Sequence, residues 1–337
     1  MKKLRFGIIG CGGMARHHAI KINENPDAEL VAVCDVNEQI TGAFSDFVVG
    51  KQFPKPAAYA DAATMYREAG LDAVAIVTPH TLHFQHAVQA LEAGCHVMME
   101  KPMVTASADA YQLAEKVRES GRILVVGFIT SFTPVFQYLR DSIRAGTFGK
   151  LQMVNGYLSQ GWLKSTVGLW RQNPKLSGGG QAYDSGAHIL NSMMWSVESP
   201  VAEVFALIDH CASPVDINSV ISVRFQNNVM ASICISGDCP SAGGHMVFIF
   251  DGGRVEIDGW GGAWIKPFKD GKEFKPQLPA DMDGPVNNLV DCILGRAEPA
   301  TIPLNGILHS ELMDAIYESA TTGLPVSPKA QAAGAAR

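Results

Sequence analysis

Three side chains stand out for the chemistry their types allow: a primary amine in Glu100-Lys101-Pro102, and a carboxylate and an imidazole four residues apart, Asp184 and His188. An ammonium held beside a hydroxyl stabilises negative charge developing on its oxygen. An imidazole with an unperturbed pKa of about 6.5 can take or give a proton near neutrality. The stretch from Tyr183 through Ile189, Leu190 and Met194 has helical spacing, which puts Asp184 and His188 on one face, able to point together into a cleft. Each residue also has an ordinary explanation: Lys101 as a solvated loop lysine, Asp184 as a first-turn acid favoured by the helix dipole, and His188 as a packed core histidine. Pro102 restricts the turn after Lys101 and is compatible with a cis peptide bond.

A second group of residues fits a phosphate-bearing ligand. Gly10-Cys11-Gly12-Gly13-Met14-Ala15 matches G-x-G-x-x-A directly after an apolar run, Leu4–Ile9, and before a helical pattern. In that context Gly10 permits the tight turn, Gly12 lets backbone approach a pyrophosphate, and Ala15 allows close packing of helix on sheet. Gly13 and Met14 then open a helix whose N-terminus faces the anion. Asp35 follows the next apolar run, about 20 residues on, where a carboxylate can accept both hydroxyls of an adenine ribose. Such a carboxylate repels a 2′-phosphate, and Val36-Asn37 offers no arginine, so NAD is expected ahead of NADP. The competing explanation of Asp35 is a helix N-cap. Val77-Thr78-Pro79-His80 and Glu100-Lys101-Pro102 follow further apolar runs, so Thr78, Pro79, Glu100 and Lys101 lie at carboxyl ends of strands, where open α/β sheets bind ligands.

Positioning these residues requires a particular architecture. Leu4–Ile9, Leu30–Cys34, Ala73–Val77, His96–Met99 and Ile123–Phe128 are short apolar runs that alternate with helix-period segments such as Phe84, Ala87, Val88 and Leu91. The pattern is that of a doubly wound parallel sheet. After Phe128 a helix is expected from about Pro134 to Ala145, and strand periodicity follows. Ile221, Val223 and Phe225 pair with Ala231, Ile233 and Ile235 around Asn227-Asn228. Val247–Phe250 pairs with Val255–Ile257 around Asp251-Gly252-Gly253, where the glycines are expected to supply positive φ. The fold class is therefore α/β: a dinucleotide-binding Rossmann domain over 1–127, an α+β domain with a large, mainly antiparallel open sheet over 128–329, and a flexible tail over 330–337. An open sheet covered by helices on one face leaves the other as a candidate subunit interface, so a homodimer or homotetramer is expected.

Composition narrows the function class. With 47% hydrophobic and 18% charged residues the chain is globular, and a formal net charge of -6 gives no basic field for nucleic acid. No apolar run approaches the roughly 18 residues of a membrane span, and Leu4–Ile9 is too short for an export signal. Seven scattered cysteines, an odd number, point to free thiols in a reducing cytoplasm. Cys234 and Cys239 lack a second pair at zinc-like spacing, so no metal is expected.

The sequence resembles the glucose-fructose oxidoreductase, inositol dehydrogenase and rhizopine-catabolism (Gfo/Idh/MocA) family along nearly its whole length. The likeness rests on Gly10-x-Gly12-x-x-Ala15, Thr78-Pro79-x-x-Leu82-His83, Ala93-Gly94-x-His96-Val97-x-x-Glu100-Lys101-Pro102, and Gly178-Gly179-Gly180 leading to Asp184-x-x-x-His188. His80 departs from it, since members commonly carry asparagine there. The resemblance implies an NAD-linked dehydrogenase acting on a secondary alcohol of a sugar or cyclic polyol. His188 would be the general base, Asp184 would bind and orient substrate, Lys101 would stabilise the oxyanion, and Thr78, Pro79, His83, Glu100 and Lys101 itself would line the cofactor. Trp162, Lys164, Trp170 and Arg171, just before the glycine loop, are expected to form a lid or a wall that stacks on a sugar, although aromatics at a subunit contact would look the same. Two other functions are compatible: a glycosidase that retains NAD and works by transient oxidation and elimination, and a non-catalytic NAD-binding sensor.

Overall fold

The computed structural model describes residues 2–328, so the expected tail over 330–337 lies outside the described residues. Strands β1 (Leu4–Ile9), β2 (Ala28–Cys34), β3 (Ala57–Tyr59), β4 (Ala73–Ile76), β5 (His96–Met99) and β6 (Leu124–Val126) form a parallel sheet in the order β3-β2-β1-β4-β5-β6. Helices α1 (Gly13–Glu24), α2 (Glu38–Gly50), α3 (Ala62–Glu68), α4 (His83–Glu92) and α5 (Ser107–Ser120) connect the strands and cover both faces. Parallel strands buried on two sides need continuous apolar runs, as Ala73–Ile76 supplies with every residue buried. The strand order reverses between β1 and β4, and the crevice at that switch is where such sheets take ligands.

The rest of the chain supplies α6 (Pro134–Arg144), β7 (Leu151–Ser159), α7 (Trp162–Ser165), α8 (Pro174–Ser177), α9 (Gly186–Val197), β8 (Val201–Asp209), β9 (Asn218–Phe225), β10 (Met230–Ser236), β11 (Gly243–Phe250), β12 (Gly253–Asp258), β13 (Ile265–Lys269), β14 (Lys272–Glu273), α10 (Gly284–Ile293) and α11 (Pro303–Thr322). The eight strands run β14-β13-β12-β11-β7-β10-β9-β8, antiparallel except for β7 beside β10. Val154, Leu158, Ile233, Ile235 and Phe248 turn inward onto a core shared with α6, α9 and α11. Tyr157, Leu207, Val220 and Met230 stay exposed. No described helix is long and apolar enough to cross a membrane.

Both expected hairpins are present, with Arg224 opposite Met230 and His245 opposite Asp258. The reason given for the second turn needs correction, because neither Gly252 nor Gly253 has positive φ. Close approach excludes a side chain there instead: a Cβ on Gly253 would sit 2.2 Å from the Phe268 carbonyl oxygen. Helix α10 follows the expected boundary at Gly127 in the chain but packs on the first sheet, its Val286, Leu289 and Val290 joining the core with Phe6, Ile8 and Met98.

Candidate active site

The dinucleotide loop is built by backbone constraint. Gly10 has φ +87°, and a Cβ there would lie 2.7 Å from the Val77 carbonyl oxygen, so both conformation and space demand glycine. Gly12 and Gly13 differ, since a Cβ on either would meet nothing within 4 Å. They border open space at the start of α1, whose first turn has no side-chain cap, and Met14 beside them is exposed. Uncapped N–H groups beside a glycine-lined opening suit an anion. Asp35 accepts from the Cys11 N–H at 2.9 Å and from the Asn37 N–H at 3.0 Å. The cap of α2 is Asn37, which accepts from Gln39 and Ile40, so the N-cap explanation of Asp35 is excluded. Across the crevice, Thr78 has a buried hydroxyl with no partner among the described residues. An open cradle, a carboxylate at the end of β2 and an unpartnered hydroxyl at the end of β4 together fit a dinucleotide.

Two residues expected to line the cofactor are committed elsewhere. His83 is fully buried, with Nδ1 2.8 Å from the Pro102 carbonyl and Nε2 2.9 Å from that of Thr78. It braces the two loops together, and its nitrogens are not free for a ligand. Glu100 is also buried; its Oε1 lies 2.6 Å from His18 Nε2, and its Oε2 accepts from the Lys101 N–H at 3.2 Å. Burial pushes this carboxyl up, but the hydrogen bond and charge of His18, with Lys101 and His188, outweigh it and bring it down to about 2.

Lys101 follows β5, and its peptide bond to Pro102 is cis. Its Nζ donates to Asp184 Oδ1 and to the Asp184 carbonyl oxygen, both at 2.7 Å. Asp184 does not lie in α9, which starts at Gly186 and not at Tyr183 as the sequence suggested. It sits in the preceding turn, donating its N–H to the Gly180 carbonyl at 2.9 Å. That turn is pinned by buried Asp216, whose carboxylate accepts from the N–H groups of Gly180 and Ala182 and from the Tyr317 hydroxyl, at 2.6, 2.8 and 2.6 Å. A Cβ on Gly180 would fall 2.0 Å from the Asp216 carbonyl oxygen, which explains the glycine.

Four side chains converge on the Asp184 carboxylate. Trp162 Nε1 and Arg171 Nε donate to Oδ2 at 2.8 and 2.9 Å, Lys101 holds Oδ1, and His80 Nε2 lies 3.6 Å from Oδ1. Burial opposes the charge of Asp184, but Lys101, His80 and Arg171 prevail and hold its carboxyl well below the usual carboxylate range. Trp162 is only 3% exposed, so its ring is not a face on which a sugar could stack, and the expected stacking wall fails at this residue. Trp170 is partly exposed but is clamped between His80, edge-on at 4.8 Å, and the Arg171 guanidinium, 4.5 Å from its ring centre. Lys164 is exposed on α7. His80 is therefore part of the site, with Nδ1 held 3.0 Å from the Ser177 carbonyl.

His188, in the first turn of α9, is only partly exposed; its Nδ1 is buried without a partner among the described residues, which leaves Nε2 toward the open side. Burial and then the Lys101 ammonium push its imidazole down to about 3, against the opposing pull of Glu100 and Asp184. The ring is thus neutral at physiological pH. The same value of about 3 holds for His80 and His309, burial being the main cause in each. Unfolded, all three bind a proton near pH 6.5, so the unfolded chain gains protons first and stability falls as pH drops below about 6.5, by up to about 1.4 kcal/mol per pH unit for each ring. Asp184 and Glu100, depressed in the fold, keep their stabilising contribution until about pH 4. We expect Tm to be several degrees lower at pH 5 than at pH 7.5, and His309→Phe to narrow that gap; equal Tm values would mean that the rings are charged in the fold.

Sequence reasoning did not single out His18, Asp216 or His309. No motif contains them, and only burial beside the named residues reveals them.

Comparison with known proteins adds an independent line. The family model described as "Oxidoreductase family, NAD-binding Rossmann fold" matches residues 4–128, and the model for the "GFO/IDH/MocA C-terminal domain" matches residues 136–263. D-glucoside 3-dehydrogenase of Escherichia coli (strain K12) is 30% identical over 206 residues, which is 59% of this chain and 56% of that protein. The scyllo-inositol 2-dehydrogenase (NAD(+)) of Bacillus subtilis (strain 168) is 30% identical over 156 residues, 46% of this chain and 44% of its own. These matches span about half the length of the curated relatives. The WlbA dehydrogenase from Bordetella pertussis, solved in complex with NADH and UDP-GlcNAcA, superposes with a TM-score of 0.85 at 25% identity, covering 98% of this chain and 99% of that one.

Proposed function

This chain belongs to the Gfo/Idh/MocA oxidoreductase family, and from that premise we propose that it is an NAD-dependent dehydrogenase oxidising a secondary alcohol of a sugar, sugar derivative or cyclic polyol. One observation carries the reading: a lysine Nζ 2.7 Å from a buried aspartate, with a neutral histidine beside them, at the carboxyl edge of a sheet whose glycine loop stands open. The relatives named D-glucoside 3-dehydrogenase and scyllo-inositol 2-dehydrogenase support the substrate class.

Gly10, Gly12, Gly13, Met14, Asp35, Thr78 and Pro79 hold the dinucleotide, which supplies a hydride acceptor when bound. His188 Nε2 takes the proton from the substrate hydroxyl, and the nearby charges of Asp184 and Glu100 stabilise the imidazolium that forms. Lys101 stabilises the oxyanion. Asp184, with both carboxylate oxygens already engaged by donors, acts mainly by fixing Lys101 and Arg171, while Arg171 and Lys164 line the substrate side. The exposed Tyr157, Leu207, Val220 and Met230 favour a homo-oligomer through the open sheet, and seven free cysteines favour a cytoplasmic setting.

The test is a panel of monosaccharides, anhydrosugars, inositols and sugar acids assayed for NADH at 340 nm. NADH accumulating with at least one of them supports the reading; a product formed without NADH points to the NAD-retaining glycosidase. Asp35 provides a second expectation. Asp35→Ser should raise the KM for NAD about tenfold and lower that for NADP, because the carboxylate that binds a ribose diol also repels a 2′-phosphate. A wild-type preference for NADP would remove this assignment.

A further inference from the structure

His309 lies on α11, fully buried, and neither ring nitrogen has a partner among the described residues. An unsatisfied buried imidazole is costly, and native proteins answer such groups with ordered water. Its place is specific. The ring lies 5.7 Å from that of Tyr183, the residue before Asp184, and 5.5 Å from that of Phe128. Elsewhere on α11, Gly306 is so close to Met103 that a Cβ would fall 2.4 Å from its sulfur, and Ser310 reaches the Val104 carbonyl at 3.5 Å. His309 is thus wedged behind both strands of chain that deliver the site: the loop after Lys101 and the turn before His188.

A further unpartnered buried nitrogen of this region is His188 Nδ1, on α9, a helix that packs against α11. For His188 to accept a proton at Nε2, its Nδ1 must carry the hydrogen, and that tautomer is held only if Nδ1–H has an acceptor. The described residues supply none, and Lys101, which is close enough for its charge to act on both rings, can only donate.

We propose that His309 is a positioning residue for His188, acting through a water that accepts from His188 Nδ1–H and donates to a ring nitrogen of His309. The inference rests on His188 being the base of the proposed reaction. Its balance is simple: the substrate proton goes to Nε2, no proton leaves Nδ1, and the water changes no bond. A residue there that keeps the ring volume but offers no acceptor should leave the fold intact and the base in the wrong tautomer.

His309→Phe and His309→Gln in the full chain test this, with Tm as the folding control. We expect His309→Phe to retain wild-type NADH affinity and substrate KM but to lose about tenfold or more in kcat, while His309→Gln, which can still accept a hydrogen bond, recovers most of the loss. Nitrogen-15 spectra of histidine-labelled protein should show His188 as the Nδ1–H tautomer in the wild type and not in His309→Phe. An Nδ1–H tautomer that persists in His309→Phe, a wild type in the Nε2–H form, or a wild-type kcat in His309→Phe would each overturn the proposal. If wild type forms no NADH with any substrate, the dehydrogenase reading fails, while the tautomer spectra still decide the role of His309.

Discussion

Replacing Lys101 by methionine lowers kcat by roughly 10²–10³-fold, the usual cost of removing one donor aimed at a developing oxyanion. The dinucleotide affinity changes little, because the glycine loop and Asp35 lie on other segments of chain. The fold survives as well. Methionine leaves Asp184 without its Oδ1 donor, but Arg171 and Trp162 still hold Oδ2 at 2.9 and 2.8 Å, so the buried charge keeps a cation and a hydrogen bond. Lys101→Arg should rescue little, since a planar fork cannot reproduce an ammonium that donates to both the side chain and the carbonyl of Asp184. Steady-state kinetics beside NADH titration and Tm separate these effects, and a kcat for Lys101→Met within about threefold of wild type would remove the lysine from the chemistry.

His188→Asn should cost roughly 10²–10⁴-fold in kcat with NADH binding preserved, the range for loss of a positioned base. A pH profile sharpens this. Burial and Lys101 hold the free-enzyme ring neutral down to about pH 3, so log kcat/KM should show no inflection near 6.5 on its acid side. A proton-transferring His188 with an ordinary environment would produce that inflection. Finding one near 6.5 in wild type, absent in His188→Asn, would keep the base and discard the environment described for it.

The first sheet was legible because its strands are buried on both faces and read as unbroken apolar runs, and because Gly10 and Asp35 fall at fixed offsets from them. Its β3 was not, being only 3 residues long with two of them exposed, too short for a pattern to form. In the second sheet, β9 and β10 alternate strictly and were readable, whereas in β7 only Leu151, Val154 and Leu158 of nine residues are buried, at spacings that match no strand period. At the site, residue types and short-range offsets announced Lys101, Asp184 and His188. The partners that fix their chemistry come from distant segments: His18 reaches Glu100, Asp216 pins the Gly180 turn, and His80 closes on Asp184. Such contacts leave no local pattern. Trp162 shows the reverse error, since an aromatic in an aperiodic segment resembles a pocket wall until its indole N–H is found on Asp184.

The most direct measurement uses a substrate from the panel carrying deuterium on the carbon to be oxidised, incubated with NAD and followed to completion. Deuterium should be recovered in free NADH, one per ketone formed, with a slowed rate for the labelled substrate in wild type and no transfer in Lys101→Met or His188→Asn on the same timescale. Deuterium retained in the product, or lost to water with no NADH released, would contradict a net dehydrogenation in this cleft.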